Sequence, residues 1–227
     1  MGIVLKKKID EETLLGIWEI AETEQYFKDN LNLNQGELAF LKNVTFDQRR
    51  LQWLGSRLML RKLIEELCDE VSESTHIQLE VNQNGKPLLK FPDYNSSISH
   101  SRKMAAVVIS KSKLVGVDIE IIEDKIERIA HKFLNQKEHE DIENSNHGSD
   151  ANRGMLYVYW CVKESIYKSV GQKGLIFGED IILNNFYYSD NGGEVIIRVS
   201  DTNQSSRLFN AYYQKLEDYM LVYSGEL

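Results

Sequence analysis

The sequence predicts an α+β fold, and three observations carry that expectation. Residues 46–69 and 153–170 show the apolar spacing of amphipathic helices. Residues 104–109 and 114–122 read as strands, the first a continuous apolar run and the second alternating through Val117-Asp118-Ile119-Glu120-Ile121. The tail from residue 180 onward is rich in β-branched and aromatic residues and is expected to return to sheet. Helices and strands follow one another irregularly, which suits α+β better than a doubly wound sheet.

The first long helix is expected to begin near Asp47, whose carboxylate suits the positive end of the helix dipole. The only two prolines, Pro87 and Pro92, bracket a short segment between two turn signals, 82–87 and 91–95. Ile98 is read as strand, followed by a Ser-His-Ser turn over 99–101. Lys111-Ser112-Lys113 is read as a hairpin turn joining the strands on either side, and a domain boundary is placed there, giving 1–112 and 113–227. Short helices are expected over 126–133 and 136–143. The polar stretch 144–152 is expected to be a loop, and Gly171 to stop the second long helix.

Composition narrows the function classes. The chain has 227 residues and lacks an 18-residue apolar run, so no segment is expected to span a bilayer. The basic residues Lys6, Lys7 and Lys8 follow the first apolar stretch instead of preceding it, unlike a secretion signal, and a cytoplasmic location is expected. A formal net charge of −8 argues against general nucleic-acid binding. Cys68 and Cys161 are far apart, each inside an apolar helical pattern, so buried thiols are expected and not a disulfide framework.

Four constellations could carry chemistry. In Gly116-Val117-Asp118-Ile119-Glu120 the alternation puts two carboxylates side by side on one strand face. That face either meets water or binds a divalent cation, since hard Mg²⁺ prefers carboxylate and phosphate oxygens; Gly116 leaves room for something large to approach. In Trp160-Cys161-Val162-Lys163-Glu164-Ser165-Ile166-Tyr167-Lys168, helical spacing puts Trp160, Glu164 and Lys168 on one stripe. The Glu164–Lys168 pair is either a surface ion pair or part of a stripe, with Trp160 and Tyr157, that faces protein or ligand. Arg50, Arg57 and Arg61 share one face of the first long helix, beside Trp53 and Leu54. Three guanidinium groups there call either for phosphate or for carboxylates elsewhere in the fold. Ser99 and His100 could hold a phosphate through hydroxyl and ring donors, or His100 could be a satisfied core histidine. No glycine-rich nucleotide loop is present.

The order and spacing of Gly85-Lys86-Pro87, Ile98-Ser99-His100-Ser101, Gly116 to Glu120 and Trp160 to Lys168 resemble the 4'-phosphopantetheinyl transferase superfamily, in its two-domain, surfactin-synthetase-activating branch. The resemblance covers roughly residues 46–178. It implies a pseudo-twofold pair of similar α+β subdomains, with the Mg²⁺ ligands in the second. It implies transfer of 4'-phosphopantetheine from coenzyme A to a serine of an apo acyl or peptidyl carrier protein, with release of 3',5'-adenosine bisphosphate. Asp118, Glu120 and Glu164 are implied metal ligands, with Glu164 or a water it orients as general base. Ser99 and His100 are implied contacts to coenzyme A phosphates, and Lys86, Arg57 and Arg50 to its 3'-phosphoadenosine end. Lys163 and Lys168 are implied to offset pyrophosphate charge, with Lys168 assisting the leaving group. A cytoplasmic monomer without nucleic-acid or membrane partners is implied. Another Mg²⁺-dependent phosphodiester-cleaving enzyme, or a non-catalytic carrier-protein binder, is the alternative.

Overall fold

The computed structural model describes residues 2–72, 74–81, 87–145, 148–172, 174–200 and 206–227. The chain divides into two compact units, Met1–Lys113 and Leu114–Leu227. Lys86 and the rest of the turn 82–86 lie outside the described residues, as do 146–147 of the expected loop.

In the first unit, β1 (Gly2–Asp10) and β2 (Thr13–Glu19) form a hairpin, followed by α1 (Glu24–Asn30), α2 (Gln35–Asn43) and the long α3 (Asp47–Leu67). Short strands β3 (Leu79–Val81) and β4 (Pro87–Leu89) pair with each other, and β5 (Asn95–Ser101) and β6 (Met104–Ser110) close the unit. The main sheet has the antiparallel order β1-β2-β6-β5. Caps define the short helices: Thr23 accepts from Tyr26 N at the start of α1, and Asn34 and Glu37 form a reciprocal capping box on α2. Helix α3 lays Leu54, Leu58, Met59, Leu63 and Ile64 on Leu14, Trp18, Ala105, Val107 and Ile109 of the sheet. The Ser-His-Ser segment is not a turn: β5 runs through it to Ser101, and the chain reverses at Arg102 and Lys103.

In the second unit, β7 (Val115–Ile121) leads to α4 (Lys125–Ile129), a 3₁₀ turn over Ala130–Lys132, α5 (Gln136–Glu143), the long α6 (Ser149–Val170) and the short α7 (Phe177–Asp180). Strands β8 (Ile181–Leu183), β9 (Gly193–Ser200), β10 (Ser206–Leu216) and β11 (Tyr219–Glu226) complete an antiparallel sheet of order β7-β11-β10-β9-β8. The returning sheet of the tail is therefore present. Helix α6 crosses β7 and β11, and its buried Val158, Cys161, Val162 and Ile166 join Ile197, Phe209, Ala211 and Val222 in one core. It ends where Gly171 adopts a left-handed φ of 64°.

Two expectations are corrected here. Residues 111–113 do not form a hairpin, because β6 pairs with β2 and β5 while β7 pairs with β11. The loop expected over 144–152 is shorter: α6 begins at Ser149, where Asp150 accepts from Arg153 one turn on, an acidic residue suited to a helix start.

Candidate functional site

Strand β7 and helix α6 build the site together. The face of β7 that carries Gly116 and Asp118 lies under α6 and not in water. A Cβ built on Gly116 would collide with the backbone carbonyl of Ser165, so glycine is what lets helix and strand close to this distance. The small side chains Cys161, Ser165 and Ser169, spaced four apart on the helix and all buried, allow the same close approach. The room read at Gly116 is thus occupied by the helix backbone and not by a ligand.

That contact sets the charges. Asp118 is 2% exposed, and Lys168 of α6 places Nζ 2.6 Å from its Oδ1 and 3.5 Å from the Val117 carbonyl. Glu164, one turn before Lys168 on α6, is half-buried, and its carboxyl is pushed up to about 7. Burial is the main cause; the negative charges of Asp118 and Glu120 add to it, and Lys168 opposes. For Lys168, burial pulls the ammonium down, but Asp118 and Glu164 outweigh it and hold the group above the ordinary lysine value. Asp118, Glu120, Glu164 and Lys168 therefore form one electrostatic unit. At the β7–α4 corner just beyond Glu120, the Tyr157 hydroxyl accepts from Glu123 N at 3.1 Å and donates to Glu123 O at 3.3 Å.

Among the described residues no three His, Cys, Asp or Glu side chains are drawn together tightly enough to form a ready metal cluster. The donor chemistry nevertheless fits a hard cation. The negative charges of Asp118 and Glu120 add to the burial that raises Glu164, and a divalent ion coordinated by oxygen would relieve that repulsion.

Lys163 requires a correction. It is fully buried, with Nζ 2.7 Å from Glu138 Oε2 and 2.8 Å from the Phe177 carbonyl. On a helix it points about 100° away from Glu164, so its ammonium is enclosed and not offered to a pyrophosphate. Trp160, read on the same stripe as Glu164, packs against Phe133 and Phe177 instead of facing a ligand. Sequence reasoning missed Glu138. The Asn135-to-Glu138 capping spacing was readable, but that the Glu138 side chain also takes the lysine of α6 was not.

The arginines of α3 separate in role. Arg50 donates to Glu24, Asp47 and the Val44 carbonyl, so carboxylates of the fold already compensate it. Arg61, 4% exposed, donates twice to the Thr75 carbonyl. Arg57 is different: its guanidinium lies 3.3 Å over the Trp53 ring, which stacks on Phe40. Among the described residues its Nε has no hydrogen-bond partner, and burial pulls the group down with Glu37 opposing. Ser99 is buried and His100 exposed on β5, and as successive strand residues they project to opposite faces.

Fold and site define a class: an α+β protein that gathers three carboxylates and a lysine between one strand and one long helix. Part of the chain is similar to known proteins. Residues 114–221, a little under half of the chain, match the family model of the 4'-phosphopantetheinyl transferase superfamily. It is similar to the 4'-phosphopantetheinyl transferase gsp of Aneurinibacillus migulanus, 28% identical over 159 residues, covering 70% of this chain and 62% of that protein. The 4'-phosphopantetheinyl transferase of Bacillus subtilis is 33% identical over 100 residues, or 44% of this chain and 43% of the relative. An L-aminoadipate-semialdehyde dehydrogenase-phosphopantetheinyl transferase of Rattus norvegicus is 31% identical over 132 residues, or 52% of this chain and 41% of the relative. The matched stretches thus span less than two thirds of these relatives.

Proposed function

We propose that this protein transfers the 4'-phosphopantetheine group from coenzyme A to a serine of an apo acyl or peptidyl carrier protein. The observation that carries the reading is the convergence of Asp118 and Glu120 on β7 with Glu164 and Lys168 on α6. In the reaction the serine Oγ forms a bond to the β-phosphorus of coenzyme A. The bond from that phosphorus to the bridging oxygen breaks, and 3',5'-adenosine bisphosphate leaves with the electron pair. Glu164, or a water it orients, takes the serine proton; without a metal, burial and the neighbouring Asp118 and Glu120 push its carboxyl up to about 7. Lys168 sets a positive charge beside Asp118, where it offsets charge developing on the departing phosphate. Asp118, Glu120 and Glu164 would hold Mg²⁺, which when bound neutralises pyrophosphate oxygens. In the N-terminal unit the resemblance points to Arg57, Lys86, Ser99 and His100 as contacts for coenzyme A phosphates. Ser99 and His100 project to opposite faces of β5, so only one of them can meet a given phosphate, and Arg50 is held by Glu24 and Asp47.

The same reading has the protein act as a cytoplasmic monomer. The two buried, unlinked thiols of Cys68 and Cys161 suit a reducing compartment, and no helix among the described residues is long and apolar enough to cross a membrane. The test is incubation with coenzyme A, Mg²⁺ and a panel of apo-carrier proteins, followed by intact-mass measurement. The phosphopantetheine mass increment on a carrier serine is expected. Hydrolysis of simple phosphodiesters without any carrier would point instead to a general phosphodiester-cleaving enzyme, and carrier binding without either reaction to a non-catalytic binder.

A further inference from the structure

We propose that Lys163 is a positioning residue: its buried ion pair with Glu138 holds α6 in the rotation that aims Glu164 and Lys168 at β7. The inference rests on the reading of those two residues as the reacting face of the helix, and it assigns the adjacent lysine a role away from any ligand.

Four elements meet at this pair. Glu138 is 2% exposed and stands at the third position of α5, where its Oε2 accepts from Asn135 N at 3.0 Å and from Lys163 Nζ at 2.7 Å. Its Oε1 accepts from Leu183 N of β8 at 3.4 Å. The ammonium donates in turn to the Phe177 carbonyl at the start of α7, 2.8 Å away. One carboxylate therefore ties the start of α5 to the end of β8, and one ammonium ties α6 to both α5 and α7.

Stability alone does not account for this choice of residues. A buried ion pair is generally no better than well-packed apolar side chains of similar volume, because desolvation offsets the attraction. Lys163 is surrounded by core: Trp160 and Tyr167 of the same helix pack on Phe177, and Val162 and Ile166 are fully buried. A methionine or leucine would fill such a place. What the ammonium adds is direction, because two acceptors at fixed distances define the azimuth of the helix as an apolar contact does not. Neighbouring helical residues are set about 100° apart on a cylinder whose radius with side chains is about 5–6 Å. A rotation of α6 by about 20° would therefore move the Glu164 carboxylate by about 2 Å, enough to take it out of register with Asp118 and Glu120.

The test compares wild type with Lys163→Met and with the charge-free double variant Glu138→Gln/Lys163→Met. The single variant leaves a carboxylate buried without its cation and should lower Tm by about 10 °C. The double variant should regain most of that loss, and it is the informative one. Three readouts are taken on it: amide hydrogen exchange over residues 160–170, affinity for Mn²⁺ as a paramagnetic probe, and transfer from coenzyme A resolved into kcat and KM. A positioning role predicts faster exchange in α6, Mn²⁺ affinity weaker by about tenfold or more, and a fall in kcat with little change in KM for coenzyme A. Wild-type exchange, Mn²⁺ affinity and kcat in a folded double variant would overturn it. If the double variant does not fold, Glu138→Gln alone is judged by the same two outcomes. If the wild-type protein neither binds Mn²⁺ nor transfers, the reading of the site fails, while the exchange measurement still decides whether the pair fixes the helix.

Discussion

Lys168 Nζ stands 2.6 Å from Asp118 Oδ1, so the lysine of α6 is the cation that the buried strand carboxylate meets. Removing it leaves Asp118, 2% exposed, among the negative charges of Glu120 and Glu164. Breaking a fully buried pair by deleting one partner costs about 3–5 kcal/mol. The Lys168 side chain is 29% exposed, so Lys168→Met should cost less, about 2 kcal/mol. A divalent cation can replace the missing charge. Thermal unfolding with and without Mg²⁺ should therefore show a larger Mg²⁺-induced gain in Tm for the variant than for wild type, while transfer falls. An equal gain in the two proteins would mean that Lys168 and the metal do not share Asp118.

The raised carboxyl of Glu164 has a definite sign in stability. Its folded-state value, about 7, lies above its ordinary 4.5, so the fold favours the protonated form. The stabilisation is fully present below about pH 4.5 and is lost as pH rises through 7. The interval between the two values corresponds to about 3 kcal/mol at most. In Mg²⁺-free buffer Glu164→Gln should therefore be more stable than wild type at pH 8, and the two should converge toward pH 4. Denaturant titrations across that range decide it, and a constant difference would remove the electrostatic account of Glu164. The same variant should lose transfer by orders of magnitude.

The site was legible in part for physical reasons. Strand alternation placed Asp118 and Glu120 on one face, and helical spacing placed Glu164 and Lys168 on another, because both periodicities are local properties of the backbone. What covers each face is not local. Lys163 and Lys168 look alike on one helix, and only Glu138, brought in by α5, makes the first a buried strut. The hairpin expected at 111–113 failed for the same reason: β7 pairs with β11, about a hundred residues later, and no local turn signal reports that. Capping boxes at Asn34 and Asn135 and the stop at Gly171 follow from short-range chemistry, which is why the 136–143 helix and the end of α6 agree with expectation while its start does not.

Gly116 gives a sharper test of the β7–α6 contact. An added methyl group would meet the Ser165 carbonyl, a backbone atom that cannot rotate aside. Gly116→Ala should destabilise by about 3 kcal/mol, the upper end of the usual range for overpacking. Because the collision pushes on the residue after Glu164, metal affinity should fall as well. A folded Gly116→Ala protein with unchanged denaturant midpoint and Mn²⁺ affinity would mean that the helix does not depend on this close approach.

Among Arg50, Arg57 and Arg61, which share one face of α3, Arg57 has donor capacity to spare. Arg50 is compensated by Glu24 and Asp47, and Arg61 donates to Thr75, whereas the Arg57 guanidinium lies flat on Trp53 with no hydrogen-bond partner for its Nε among the described residues. Stacking fixes the plane of the fork, and although burial pulls the group down to about 9 it stays cationic at neutral pH, the state needed to hold a phosphate by paired hydrogen bonds. If that phosphate is the 3'-phosphate of coenzyme A, Arg57→Ala should raise KM for coenzyme A by about tenfold, equivalent to about 1.4 kcal/mol. KM for 3'-dephospho-coenzyme A should barely move, since that donor lacks the group. Arg57→Lys should recover only part of the loss, because a lysine keeps the charge but not the planar fork. Equal effects on the two donors would show that the Phe40–Trp53–Arg57 stack serves the packing of α2 on α3 and has no part in recognising the 3'-phosphate.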